Sequence, residues 1–246
     1  MLVTELLVIF LCLAAGGVLK GATGAGTPVL AVPALAMFFD VKTAVIILLL
    51  PNLMTNASQI WRYRSFLPKR SFLKLFLFGG TVGAGLGTWA LTQLSAEVLE
   101  VGVGIVVLVY IAFRLLHPHW KLSDRVGTAI SLPAGVLAGI LQGASGISAP
   151  VSITYLNAMR LERSVFIPSI SALFLLFVAV QIPALVATGD MTAKLSLISA
   201  VAVAPVLLAM PLGSRLAKSV SPVVFDRIIL TLLAILAIKL VWGGLL

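Results

Sequence analysis

Charge is what this sequence has least of. Asp, Glu, Lys and Arg make up 10% of its 246 residues, against about 25% in a soluble domain. Acidic groups are the scarcer kind: eight Asp and Glu stand against 17 Lys and Arg, a net charge of +9. The single cysteine, Cys12, excludes an intrachain disulfide and a cysteine metal cluster, and inside an apolar run it reads as a small buried residue. The two histidines, His117 and His119, share a short loop and are too sparse for a metal site. Alternating apolar residues are missing as well, which argues against a β-barrel.

What fills the chain is hydrocarbon. Hydrophobic residues reach 61% and mean hydropathy is +1.17, values that a soluble enzyme or nucleic-acid binder does not show. The composition predicts an all-α polytopic membrane protein, with the lipid bilayer as its main partner and no nucleic acid. A helical span takes about 20 residues, so there is room for roughly eight to ten spans and no extramembrane domain. Continuous apolar stretches cover 2–19, 43–61, 72–92, 98–116, 126–142, 164–187, 195–214 and 223–245. The first lacks a basic flank and carries Glu5, so it reads as a retained span rather than a cleaved leader.

Two shorter apolar stretches, 27–39 and 149–159, each begin at a proline that follows a glycine-rich run. The runs are GATGAGTP at 21–28 and GASGISAP at 143–150. They expose an internal repeat. A shift of 122 superimposes Gly21 on Gly143, Gly24 on Gly146, Pro28 on Pro150 and Gln59 on Gln181 without a gap. A shift of 126 then superimposes Gly87 on Gly213, Ser95 on Ser221 and Glu100 on Asp226. The halves are 1–121 and 122–246, within one membrane domain. Repeats of this kind mark transporter folds.

Loop charge orients the copies. Arg62, Arg64, Lys69, Arg70 and Lys74 follow the span at 43–61, while its counterpart loop, 188–194, carries only Lys194. The loop at 93–97 has no Lys or Arg, while its counterpart, 215–227, has Arg215, Lys218 and Arg227. Under the positive-inside rule the copies run in opposite directions, with the N- and C-termini both outside. The expected fold is an inverted-repeat helical bundle with two glycine-rich broken-helix hairpins.

The glycine-rich runs are the candidate site. Irregular backbone survives at membrane depth only inside protein or around a wet cavity. Pro28 and Pro150 begin helices whose N-terminal N–H groups and partial positive charge suit an anion. The candidate substrate contacts are therefore Gly21, Ala22, Thr23, Gly24, Ala25, Gly26 and Thr27 in one copy. Gly143, Ala144, Ser145, Gly146, Ile147 and Ser148 match them in the other. Asn52, Asn56, Gln59 and Gln181 form a second tier, with interhelical hydrogen bonding as their plainer role. Pro51 leaves the carbonyl of Ile47 without its helical donor. Lys20 is an intramembrane cation if its turn lies deep, and a snorkelling anchor if the turn reaches the surface; the anchor is the favoured reading. Trp61, Trp89, Trp120 and Trp242 read as interfacial anchors. The ladders Gly79, Gly83, Gly87 and Gly135, Gly139, Gly143 suit close helix packing, either internal or at a homodimer face.

No carboxylate sits at the middle of a long span. Glu5, Asp40, Glu97, Glu100, Asp124, Glu162, Asp190 and Asp226 all fall at or near span ends. That leaves a proton relay or a membrane-embedded enzyme without its usual groups. No catalytic residue, cofactor or metal is expected.

The paired motifs and the four-plus-four hydropathy pattern resemble the sulfite exporter TauE/SafE family across essentially the whole chain. The resemblance implies a bacterial inner-membrane permease for sulfite, organosulfonates or related anions. Ile147 and Ser148 depart from Ala25 and Gly26, so equal substrate contact by the two copies is not implied. Export of such an anion is the leading expectation. Uptake, or a channel for the anion, is the alternative within transport. A membrane-embedded enzyme or assembly subunit is the rival from another class.

Overall fold

The computed structural model describes residues 3–68, 70–117, 120–219 and 222–243. Lys69, His119 and Ser221 lie outside the described residues. Among the described residues there are helices and no strand. They are α1 (Val3–Thr23), α2 (Thr27–Ala36), α3 (Val41–Tyr63), α4 (Ser71–Gln93), α5 (Ala96–Leu116), α6 (Asp124–Ser145), α7 (Ala149–Ala158), α8 (Arg163–Ala187), α9 (Ala193–Val201), α10 (Val203–Ser219) and α11 (Pro222–Gly243). Six described stretches are long and apolar enough to cross a membrane. The chain is an all-α multi-pass membrane protein.

Local sequence explains several helix ends. Ser123 and Thr192 cap α6 and α9 by accepting the N–H groups of Val126 and Leu195 at 3.4 and 3.3 Å. Asp40 accepts the N–H of Thr43 at 2.9 Å just before α3. Such caps satisfy the free donors of a first turn. The short helices α2 and α7 have ten residues each, about 15 Å at 1.5 Å per residue. That is half the roughly 30 Å of a bilayer core.

The stretch at 195–214 lies within one apolar span, Ala193–Leu216. It is two helices, α9 and α10, meeting at Ala202. Pro205 is the cause, since its ring clashes with the carbonyl four residues back, Val201, and it offers no N–H.

The helices gather into two compact units. The first holds Met1–Pro51, Leu94–Ala112 and Thr192–Leu246; the second holds Asn52–Gln93 and Phe113–Met191. Each unit therefore draws helices from both sides of residue 121. The division of α3 falls directly after Pro51. In the first unit α1 packs on α10 and α2; in the second α4 packs on α6 and α8.

Glycine makes both main helix pairs close. A Cβ placed on Gly83 or Gly87 would strike the carbonyls of Val136 and Ile140, and one on Gly139 that of Gly80. The two ladders thus face each other, and internal packing accounts for them. In the first unit Gly17, Gly21 and Gly213 likewise lie against the backbone of Val206, Met210 and Val18. Without side chains between them, backbones approach closely enough for dispersion to hold the pair in lipid.

Candidate functional site

The two glycine-rich turns are closed by the same set of bonds. Thr23 donates its hydroxyl to the carbonyl of Leu19 at 2.9 Å, and Ser145 donates to Leu141 at 2.6 Å. The N–H groups of Ala25 and Ile147 donate back to those hydroxyl oxygens, both at 3.3 Å. Gly24 and Gly146 donate to the carbonyls of Lys20 and Gln142 at 2.7 and 2.8 Å. Both glycines are left-handed, at φ 83° and 71°, the geometry that ends a helix through one five-to-one bond.

The third turn residue breaks the match. Gly26 stands at φ 98°, where an L side chain is strained, whereas Ser148 stands at φ −102°. That is why serine is tolerated in the second copy and glycine is needed in the first. Ser148 instead shares a 3.1 Å hydroxyl contact with Ser152, which also donates to the carbonyl of Ser148 at 2.9 Å.

Several candidate contacts already have structural work. Gly21 packs on Met210, and its carbonyl accepts the Ser214 hydroxyl at 3.0 Å. Gly143 packs against Ala84 and Thr88. Thr23 and Ser145 use their hydroxyls to close the turns. Asn56 donates to the carbonyl of Asn52 at 2.8 Å. Ala22, Ala25 and Ile147 are buried and Ala144 is half-buried.

Three side chains are different. Thr27 is fully buried, and its hydroxyl has no hydrogen-bond partner among the described residues. The same holds for the side-chain oxygen of Asn52 and for both amide atoms of Gln181, a residue 0% exposed. Leaving such a group unpaired costs about 1–3 kcal/mol. Gln59, the repeat-mate of Gln181, is satisfied: the Ser171 hydroxyl donates to its Oε1 at 2.9 Å.

Lys20 overturns the anchor reading. Its side chain is 0% exposed, so it does not snorkel to the surface. The lysine sits in the last turn of α1, directly before the first glycine-rich turn. Burial of a lysine is expensive enough to make it a functional candidate by default.

The units divide the candidates. The run at 21–27 and Lys20 belong to the first, and the run at 143–148 with Asn52, Asn56, Gln59 and Gln181 to the second.

One polar residue escaped sequence reading. Ser199, fully buried in α9, donates to the carbonyl of Ile47 at 3.0 Å and accepts the N–H of Leu50 at 3.1 Å. It supplies the donor that Pro51 removes. The orphaned carbonyl was a signal that some hydroxyl must arrive, but nothing in the sequence says which.

Long apolar helices with polar groups buried among them define a multi-pass membrane protein. The family model described as sulfite exporter TauE/SafE matches residues 8–240. The chain belongs to that family. No curated protein and no solved structure matches it.

Proposed function

We propose that the protein exports sulfite or a small organosulfonate across the bacterial inner membrane, driven by the membrane potential. The observation that carries this reading is family membership, beside which each unit buries neutral polar side chains. Buried orphans such as Thr27, Asn52 and Gln181 offer hydrogen bonds, while all eight carboxylates stand at or near helix ends. A bacterial interior is negative, so one negative charge leaves downhill by roughly 2.3 kcal/mol per 100 mV. Import would need a co-transported cation. Each glycine-rich turn serves as one anion-handling element, through the N-terminal N–H groups of α2 and α7.

Purified protein in liposomes under a set potassium diffusion potential tests this. Anion flux is expected to follow the sign of the voltage and to persist without a proton or sodium gradient. Flux that requires a proton gradient overturns the mechanism.

The proposed arrangement is an inverted repeat with both termini outside. In a Cys12→Ala background, Phe66→Cys and Asp190→Cys are expected to label from opposite sides. Labelling of both from one side overturns it.

A further inference from the structure

We propose that Gln181 is the side chain that reads the cargo, and that the form it reads is a monoanionic oxyanion still carrying a hydrogen, such as hydrogensulfite. This rests on the export reading and goes further by naming the form carried and the group that selects it.

Gln59 and Gln181 occupy the same place at the 122-residue shift, yet only one has a partner. Gln59 Oε1 accepts the Ser171 hydroxyl at 2.9 Å. Gln181 is 0% exposed, and neither its Oε1 nor its Nε2 has a hydrogen-bond partner among the described residues. Because both atoms are orphaned, exchanging them by an amide flip changes nothing. Buried polar groups are almost always paired, so an amide kept wholly unpaired calls for a partner from outside the protein fold.

The chemistry of the orphans describes that partner. An amide NH₂ needs an acceptor, and an amide oxygen needs a donor. A sulfonate or a sulfite dianion offers oxygen acceptors only and would set its lone pairs against the amide oxygen. Hydrogensulfite offers acceptors for the NH₂ group and a hydrogen for an amide oxygen. A site that expects a donor rejects a ligand lacking it far more strongly than an apolar pocket rejects a small change in size.

Counterflow in liposomes at one fixed pH, with hydrogensulfite against methanesulfonate, separates the possibilities. Both carry one negative charge, but methanesulfonate has no hydrogen to donate from oxygen. Wild-type protein is expected to favour hydrogensulfite at least tenfold. Gln181→Leu is expected to bring the ratio close to one by lowering hydrogensulfite flux about tenfold or more, with the thermal midpoint unchanged or raised. Gln59→Leu is expected to lower the midpoint, because it orphans the Ser171 hydroxyl, and to leave the ratio alone. If Gln181→Leu does not fold, Gln181→Met carries the same expectation. A wild-type ratio near one, or an unchanged ratio in the Gln181 variant, overturns this inference and leaves export standing; internal water pairing the amide gives the second result. Failure of wild-type protein to move either anion overturns export and the inference together.

Discussion

The α1–α10 pair and the α4–α6 pair are built on one pattern, and they differ in how many of their contacts are glycine. Under the shifts of 122 and 126, Gly17, Gly21 and Gly213 superimpose on Gly139, Gly143 and Gly87, and each lies against the matching stretch of backbone. Three further glycines at the contact of the second pair, Gly135, Gly83 and Gly79, correspond to Leu13, Ala209 and Pro205. Where those side chains replace glycine, the first unit has an apolar groove of about 420 Å³ lined by Leu13, Ala202 and Pro205 among others. Small residues hold helices together in lipid because backbone contact replaces side-chain contact. The second unit is thus zipped along its length, and the first is zipped only beside its glycine-rich turn.

The sharpest break of that comparison is one methyl-bearing side chain at equivalent places. Gly83→Val pushes directly on the Val136 carbonyl, and backbone cannot yield as a flexible side chain does. A loss of about 3 kcal/mol or more is expected, at the upper end of overpacking. Ala209→Val, at the corresponding place in the first unit, is expected to cost about 1 kcal/mol. Recovery of monodisperse protein and thermal midpoints in detergent decide it. Equal losses would show that the two pairs are packed alike.

The turns come next in size. Gly24→Val and Gly146→Val force a branched residue into left-handed backbone, costing about 1–2 kcal/mol each. Folded protein is expected to remain in the membrane while anion flux is lost. Gly24→Asn, which tolerates this backbone, is expected to retain more flux. Full activity in both valine variants would reject the turns as anion-handling elements.

A third test separates the proline break from its hydroxyl. Ser199→Ala leaves the carbonyl of Ile47 and the N–H of Leu50 without that hydroxyl, at about 1–2 kcal/mol. In a Pro51→Ala background the helix recovers its own donor, so the same change is expected to cost less. A double-mutant cycle reads the coupling directly, and strict additivity would mean that Ser199 does not compensate for Pro51.

These residues also show what the sequence discloses and where it stops. Span lengths, the proline-started short helices and the orphaned carbonyl at Ile47 follow from local rules, because each depends on residues within one turn. The break before Pro205 is equally local, but it lies inside a uniformly apolar run that reads as one span. Ser199 was out of reach, since it is about 150 residues from the group it serves and belongs to no pattern. Lys20 could not be placed because depth depends on how neighbours close around a helix. Gln59 and Gln181 look alike in sequence; that the Ser171 hydroxyl pairs the first, while the second has no partner among the described residues, is visible only in the structure. Of the candidate contacts, sequence identified the polar types but not which had already been used internally.

The smallest expected change in stability asks the most of the first turn. Thr27 heads α2 with its methyl against Gly16, where an added Cβ would meet Thr27 Cγ2 at 3.0 Å. Its hydroxyl has no partner among the described residues, and its repeat-mate, Ala149, has no hydroxyl at all. Thr27→Val keeps the shape and removes one unpaired polar atom. Where no hydrogen bond is lost, relief of desolvation wins, so stability is expected to be unchanged or to rise by up to about 1 kcal/mol. Transport supplies the contrast. If the hydroxyl donates to the anion at the N-terminus of α2, flux falls about tenfold while the thermal midpoint holds. Loss of stability together with flux would make Thr27 a packing residue.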